Sequence, residues 1–487
     1  MKFVTEPTRQ VPIAREVDVA IAGGGVSGVF AAIAAARQGA KTLVIDRFGM
    51  LGGNIGPGFI AGGGMLPGRA HPDAGYARHI YPGLYGIPRE FIDRFADLGG
   101  NTLQPYSQPP SDYANNVHLA SYIAHEMLRE AGGEVLLSTT VSDPIMEENR
   151  VTGLFIENKS GRQAISAKVV IDDTGEADVA RRAGAPILWP KDEYHEIDVH
   201  APNGMGLWYQ VGGVDWKDYE ALLAESDVSD EDIAWAKETL GETAAGAYHT
   251  FLPFMRKAHE KGAALPRTHV TLGDADLPIT LANVVQGMQG TIHGRLQPAR
   301  TVQMNAGDGD HISRLEEGLR MVVIEMVQIW RHYVPGFENA HIINIAPFLG
   351  TRGGPCIEGE HTMTMTDCME GRLFDDVAYR YGQNLALIHT CEKGQCTWAD
   401  VPYRVMVPKV IDGLLATGRC ASSIPDTLLR NRMAAMTLGE ATGIAAGICA
   451  KTDVQPRGLP RKDYQTALLD AGFWLGDHRR LKELGLV

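Results

Sequence analysis

One stretch constrains this chain more than any other. Val17 to Ala22 is an apolar run of strand length, Gly23-Gly24-Gly25-Val26-Ser27-Gly28 follows it, and a small-residue helix is expected from about Ser27 to Gln38. Thr42 to Asp46 then reads as a second strand that ends on an acid. A chain that passes from strand to helix through G-x-G-x-x-G and back to a strand has few folds open to it. Each glycine has a physical reason. Gly23 permits the tight turn, Gly25 lets the backbone approach a pyrophosphate, and Gly28 lets helix and strand pack closely. The amino end of the helix presents N–H groups and partial positive charge to phosphates. Asp46 stands at the spacing of an acid that hydrogen-bonds a ribose. The glycines alone are a weak signal, equally readable as a packing turn. With strand, helix, second strand and terminal acid in order, they predict a dinucleotide site.

The rest of the chain reads around this unit. Residues 49 to 87 form a long Gly/Pro-rich stretch, of a length more often functional than idle. Leu119 to Ala131 has helical periodicity and stops at Gly132-Gly133. Glu134 to Leu137 follows as a strand, and Val151 to Glu157 with Ala164 to Asp172 as a hairpin through Asn158-Lys159-Ser160-Gly161. From about Ile187 to Val334 the composition shifts toward Trp, charge and helical pattern. There Ser313-x-x-Glu316 is expected to cap a helix that ends before Pro335-Gly336. Leu414 to Thr417 is a short strand and Ala434 to Ala450 a small-residue helix. This order predicts an α/β chain, a parallel sheet interrupted by a substrate domain.

Three further segments carry a family resemblance. Arg47-Phe48-Gly49-Met50-Leu51-Gly52-Gly53-Asn54 continues the second strand, Val169-Val170-Ile171-Asp172-Asp173-Thr174-Gly175 is an apolar strand ending in Thr-Gly, and Leu414-Leu415-Ala416-Thr417-Gly418-Arg419-Cys420 is another. Together they resemble the FAD-dependent oxidoreductases of the glutathione-reductase-like and fumarate-reductase-like flavoprotein superfamily. Val334-Pro335-Gly336-Phe337, Val401-Pro402-Tyr403-Arg404 and Val407-Pro408 are similar to the same family. The resemblance covers roughly residues 16 to 185 and 334 to 450 and leaves the middle uncovered.

The resemblance implies FAD as cofactor. Gly52-Gly53 would pass along the pyrophosphate and flavin, Thr174-Gly175 would lie beneath the adenine-side phosphates, and Gly418-Arg419 would meet the ribityl chain. Arg430 and Leu438-Gly439-Glu440-Ala441-Thr442-Gly443 resemble a closing helix whose amino end stabilises charge on the reduced ring. The implied cofactor-binding residues are Gly23, Gly25, Val26, Ser27, Gly28, Asp46, Arg47, Gly52, Gly53, Asn54, Thr174, Gly175, Gly418, Arg419, Gly439, Glu440 and Ala441. The expected architecture is a three-layer FAD/NAD(P)-binding, Rossmann-like domain assembled from both chain ends, residues 1–185 and 334–455. An α+β cap domain, residues 186–333, is inserted, and 456–487 form a helical tail.

Several functions are disfavoured. A disulfide reductase needs a Cys pair beside Gly52-Gly53-Asn54, and none is there. Cys391 and Cys396 have a suggestive spacing, but ordinary loop thiols are the simpler reading. Gly62-Gly63-Gly64 has Pro67 where a third fingerprint glycine would stand, so no dedicated NAD(P)H unit is expected. Electrons are then expected to pass between flavin and a small-molecule substrate or a separate electron acceptor. No Cys or His set has iron–sulfur or metal-ligand spacing, so no metal is expected. The net charge of -14 tilts against nucleic acid. No apolar h-region opens the chain and no run of about 18 apolar residues occurs, so a soluble cytoplasmic protein without a membrane span is expected. A homo-oligomer is left open.

The candidate chemistry centres on Gly350-Thr351-Arg352-Gly353-Gly354-Pro355-Cys356, with Glu358, Glu360 and His361 after it. Relatives carry a more Arg-rich version here, and this chain keeps only Arg352. Arg352 is expected to grip a carboxylate or carbonyl oxygen, and His361 to move a proton near neutrality. A structural ion pair and an ordinary buried histidine are the competing readings. His293 and His249 are secondary candidates, and His71 or His79 would serve a covalent flavin. The expected activity is hydride transfer between a small polar organic substrate and flavin N5. The alternatives are a reductase of activated C=C bonds and a flavin-binding subunit or sensor that needs a protein partner.

Overall fold

The computed structural model describes residues 2–59, 85–98, 101–102, 114–198, 201–202, 204–215, 217–218, 228–286, 290–382 and 398–487. Strand β1 (Ile13–Ala22) pairs in parallel with β2 (Thr42–Ile45), Val19 opposite Thr42 and Ala22 opposite Ile45. Parallel pairing requires a crossover, and α1 (Gly28–Arg37) supplies it. Helices α2 (Gly86–Asp97) and α3 (Val117–Glu130) follow, and β3 (Glu134–Leu136) extends the sheet beside β2. The chain then runs through β4 (Thr140–Glu147), β5 (Arg150–Asn158) and β6 (Gly161–Asp172). The first half of β6 pairs antiparallel with β5, while its length lies parallel to β1. Alternation along the strands serves two cores. Val19, Ile21 and Val44 face the helices, whereas Ala20, Ala22, Leu43 and Ile45 meet Val151, Leu154 and Val179 on the other side.

A second, antiparallel sheet occupies the middle of the chain. It comprises β7 (Met205–Gly212), β8 (His269–Leu272), β9 (Ala275–Gln286), β10 (Ile292–Pro298), β11 (His341–Ile345) and β12 (Gly350–Thr351). The order is β8-β9-β10-β7-β11, with β12 also on β7, so its strands run past residue 333 as far as Thr351. Helix α4 (Gly309–Tyr333) lies against it, Trp330 stacking on Phe251 and meeting Phe337 edge-on. The capping box expected at Ser313 is not the start of this helix. Asp308 caps it, accepting from the N–H groups of Asp310 and His311, and Ser313 lies inside the first turns. Glu316 instead accepts from the Leu349 N–H at 3.2 Å.

The chain then returns to the first sheet. β13 (Leu414–Ala416) pairs in parallel with the last residues of β6, and α5 (Arg432–Thr452) packs along α1. The small residues of α5 are a packing requirement. A Cβ on Gly439 would stand 2.2 Å from the Ser27 carbonyl oxygen, and one on Gly443 2.1 Å from that of Ala31. Among the described residues α5 is the one helix long and apolar enough to cross a membrane, and it is buried in the core. The result is a three-layer α/β domain of Rossmann-like plan, assembled from both chain ends around an inserted α+β unit.

Candidate functional site

Because β2, β1, β6 and β13 run parallel, their carboxyl ends (Ile45, Ala22, Asp172 and Ala416) share one edge of the sheet. Ligands of open α/β sheets bind at such an edge. Gly23 holds φ at +103°, and a Cβ there would stand 2.4 Å from the Asp173 carbonyl oxygen. Gly28 packs against the turn itself, its Cβ position 2.1 Å from the Gly23 carbonyl oxygen. Gly25 also has a packing reason. The space beside it is filled by the Asp173 carboxylate, 2.7 Å from where a Cβ would be.

Asp173 is the site residue that sequence reasoning passed over. Its Oδ2 accepts the N–H groups of Gly25 at 2.9 Å and Gly28 at 2.8 Å, and Ser27 Oγ donates to Oδ1. Burial pushes its pKa up to about 7, with the three hydrogen bonds opposing. Nothing local in the sequence marks it, since only the pairing of β6 with β1 brings it under the turn. The N–H groups of Val26 and Ser27 have no acceptor among the described residues. They lie at the amino end of α1, where a pyrophosphate would receive them.

The other expected cofactor residues gather on the same edge. Asp46 is 7% exposed and accepts from the N–H groups of Gly24 and Phe48, each at 2.8 Å. Burial raises its pKa, and each oxygen keeps a lone pair for a ribose hydroxyl. Gly52 (φ +112°) bonds back to the Gly24 carbonyl, and a Cβ on Gly53 would stand 2.9 Å from Gly25 Cα, so the Gly-Gly turn lies directly on the fingerprint. Asn54 continues that turn, half-buried. Arg47 is exposed, its guanidinium over the rings of Phe48 and Phe348.

Thr174 is engaged within its own turn. Asp172 accepts from both its N–H and its hydroxyl, and its Oγ1 accepts from the Asp178 N–H. The Gly175 N–H points at Cys420 Sγ. Gly418 comes against Ser27, where a Cβ would be 2.2 Å from Oγ. Arg419 pairs with Glu176 and donates to Thr351 Oγ1 at 2.5 Å. Gly439, Glu440 and Ala441 lie more than a turn inside α5, away from its amino end, and each has a structural partner. Gly439 packs on Ser27, Glu440 accepts the Ile87 N–H at 3.1 Å, and the Ala441 carbonyl accepts the Tyr464 hydroxyl. Burial pushes Glu440 up to about 8.

The contacts described for Arg352 and for His361 involve different residues. Arg352 follows β12, its N–H bonded to the Gly204 carbonyl at 2.6 Å. Burial and four other arginines, Arg295, Arg430, Arg300 and Arg432, push it down to about 7. The ring of His361 meets Phe374 edge-on, and its Nε2 lies 3.5 Å from Asp367, itself paired with Arg372. His293 is buried on β10, which pushes it down to about 4 and leaves it neutral near pH 7. His249 is exposed on a short 3-10 turn. Gly62 to Gly64, Pro67, His71, His79, Cys391 and Cys396 lie outside the described residues. Among the described residues no group of three His, Cys, Asp or Glu side chains would hold a metal ion.

A glycine turn with two unclaimed N–H groups, an acid at the second strand end and a Gly-Gly turn on top suit the pyrophosphate and ribose of a dinucleotide, and define a dinucleotide-binding protein. The chain matches the family described as FAD dependent oxidoreductase over residues 18–468, and it belongs to that family. It is 29% identical over 211 residues to the thiamine thiazole synthase of Methanococcus vannielii, a stretch spanning 40% of this chain and 68% of that one. With the thiamine thiazole synthase of Pyrobaculum arsenaticum it is 30% identical over 207 residues, with the same 40% and 68% coverage. Among solved structures it is similar to a geranylgeranyl bacteriochlorophyll reductase-like protein of Thermoplasma acidophilum. That match has a TM-score of 0.42 and 14% identity over 97% of this chain and 88% of that chain.

Proposed function

We propose that this flavoprotein transfers a hydride between a small polar organic substrate and N5 of its flavin, and exchanges the electrons with a separate acceptor. Its place within the family is with the glutathione-reductase-like and fumarate-reductase-like flavoproteins. Residues 1–185 and 334–455 would form the cofactor part, and the inserted unit, extended by β11 and β12, the cap. Bound FAD supplies the redox-active ring. The chain's own residues hold and orient. The Val26 and Ser27 N–H groups would receive the pyrophosphate, Asp46 a ribose, and Arg352 an oxygen of the substrate.

One contact carries this proposal. Arg419, beside Ser27 through Gly418, donates to Thr351, the immediate neighbour of Arg352. The cofactor edge of the first sheet and the second sheet are thereby joined through Arg419, and also through Glu176, which accepts from the Thr351 hydroxyl at 3.0 Å. His361 is not given the proton-moving role, because its ring faces Phe374 and Asp367. A thiazole synthase activity is not proposed either, since that similarity spans only 40% of this chain.

The test is anaerobic reduction of the holoprotein's flavin by candidate substrates, after the FAD content has been measured on denatured protein. Arg352→Ala is expected to keep its FAD and to slow reduction on the order of 100-fold, the loss of one charge-assisted bidentate contact. Unchanged reduction by the variant would remove Arg352 from the site.

A further inference from the structure

The turn that lies on the fingerprint is held by a side chain that belongs to none of the glycine motifs. Leu51 opens the Leu51-Gly52-Gly53 turn after β2 and is fully buried. Its Cδ2 stands 2.4 Å from where a Cβ on Gly24 would be, so the side chain is pressed onto the fingerprint. The Gly52 N–H donates to the Gly24 carbonyl at 2.8 Å, and Gly53 approaches Gly25 closely. A shift of this turn therefore disturbs the surface that Val26 and Ser27 present to a pyrophosphate. The Leu51 N–H has no backbone acceptor among the described residues. Nε2 of His125, 74 positions away in sequence, accepts it at 3.3 Å. His125 is half-buried on α3, a helix that packs on α1, on α2 and on the short 3-10 turn Gly53–Ile55.

This bond fixes the chemistry of the imidazole. A backbone N–H only donates, so Nε2 must offer a lone pair and the ring proton must reside on Nδ1. A protonated ring carries N–H on both nitrogens and sets a donor against a donor. The bond to Leu51 thus exists only while His125 is neutral. Burial is what shifts its pKa, downward from the ordinary 6.5. The neutral form is complete above pH 6.5 and is lost as pH falls through the lowered value.

The charged groups on the elements around His125 are engaged with one another. Arg37 of α1 pairs with Glu90 of α2, and Arg89 with Asp93. Arg94 of α2 reaches Glu90 and also Glu126 and Glu130 of α3. On α3 itself Tyr122 donates to Glu126, His118 meets Phe59 edge-on and Arg129 is exposed. The 3-10 turn carries no titratable side chain. Asp46, below the turn, accepts from Gly24 and Phe48, and Asp173 from Gly25, Ser27 and Gly28.

We propose that His125 is a positioning residue for the cofactor: neutral, it holds the Leu51-Gly52-Gly53 turn in the shape that receives FAD, and protonated, it releases the turn, so that FAD affinity falls in mild acid. The proposal rests on FAD binding and not on the hydride-transfer reading. Flavin reduction is not among its readouts, so a substrate screen that fails leaves it standing.

The experiment is calorimetric titration of the full-length apoprotein with FAD at pH 6.5 and pH 5, for wild type, His125→Gln and His125→Ala. The Gln amide oxygen reaches about as far as Nε2 and accepts without titrating. His125→Gln is expected to match wild type within about threefold at pH 6.5, whereas His125→Ala, which strands the Leu51 N–H, binds about tenfold more weakly. From pH 6.5 to pH 5 wild type is expected to lose affinity by about tenfold relative to His125→Gln, as one proton must leave for FAD to bind. Asp46 and Asp173 are present in both proteins, so their own titration cancels in that comparison. A histidine that only fills space would give the same pH dependence in wild type and His125→Gln, and that result would overturn the proposal. So would His125→Ala binding FAD as tightly as wild type at pH 6.5. Nitrogen NMR of histidine-labelled protein reads the tautomer directly, with the His125 resonance assigned by its absence in His125→Gln. A proton on Nδ1 is expected, and a neutral ring with its proton on Nε2 would overturn the assignment. Should His125→Ala fail to fold, wild type against His125→Gln decides alone.

Discussion

At the scale of single residues, Asp173 shows how a side chain can acquire a role its neighbours in sequence do not announce. It lies in an apolar strand end that reads as an adenine-side motif, yet its carboxylate ties Gly25, Ser27 and Gly28 together. Its folded pKa, about 7, lies above the ordinary 3.8. The sign follows directly. Its contribution to stability is fully present below pH 3.8 and is lost as pH rises to 7, because the carboxyl ionises first in the unfolded chain. A pyrophosphate received by Val26 and Ser27 adds negative charge beside it and favours the protonated form further. FAD affinity of the apoprotein is therefore expected to weaken as pH rises from 6 to about 8, and Asp173→Asn to flatten that dependence. Calorimetric FAD titrations at the two pH values decide it, and equal slopes in wild type and variant would remove Asp173 from the linkage.

At the scale of elements, α5 is read correctly as a small-residue helix, but its glycines have a purpose that composition does not state. Gly439 and Gly443 lie one turn apart on one face and let the α5 backbone approach the carbonyls of Ser27 and Ala31 on α1. The seam holds the fingerprint helix in place. Gly443→Val is expected to cost about 1–3 kcal/mol by overpacking, and to lower FAD occupancy because α1 must shift. Denaturant unfolding and the absorption spectrum of the same sample check both parts. Helix α4 teaches the opposite lesson. Ser313 and Glu316 match a capping pattern, but an amphipathic helix of 25 residues contains such spacings in its interior. The cap is Asp308, placed by the turn that begins at Asn305.

At the scale of the whole molecule, the two sheets are joined where Arg419 reaches both Glu176 and Thr351. Arg419 and Glu176 are only 13% and 14% exposed at their side chains. Glu176→Gln leaves a largely buried guanidinium without its carboxylate, so a loss of about 3 kcal/mol is expected. Thermal unfolding measures it, and an unchanged melting temperature would mean that the pair does not hold the sheets together.

The first βαβ unit, the cofactor edge and the return of the chain to the same sheet were legible in the sequence, because glycine spacing, strand length and terminal acids are local properties. Gly23, Gly28, Asp46, Gly52, Gly53 and Gly418 meet where those motifs put them. What only the tertiary structure decided is which distant side chains face one another. The sequence offers Arg352 as a lone arginine beside His361. The fold sets His361 against Phe374 and Asp367, and gathers Arg295, Arg300, Arg430 and Arg432 around Arg352 from segments spread over 138 positions. The physical reason is that antiparallel pairing of β7 with β10 and β12, and the packing of α5 on α1, are set by burial summed over the whole chain. No window of sequence contains that sum.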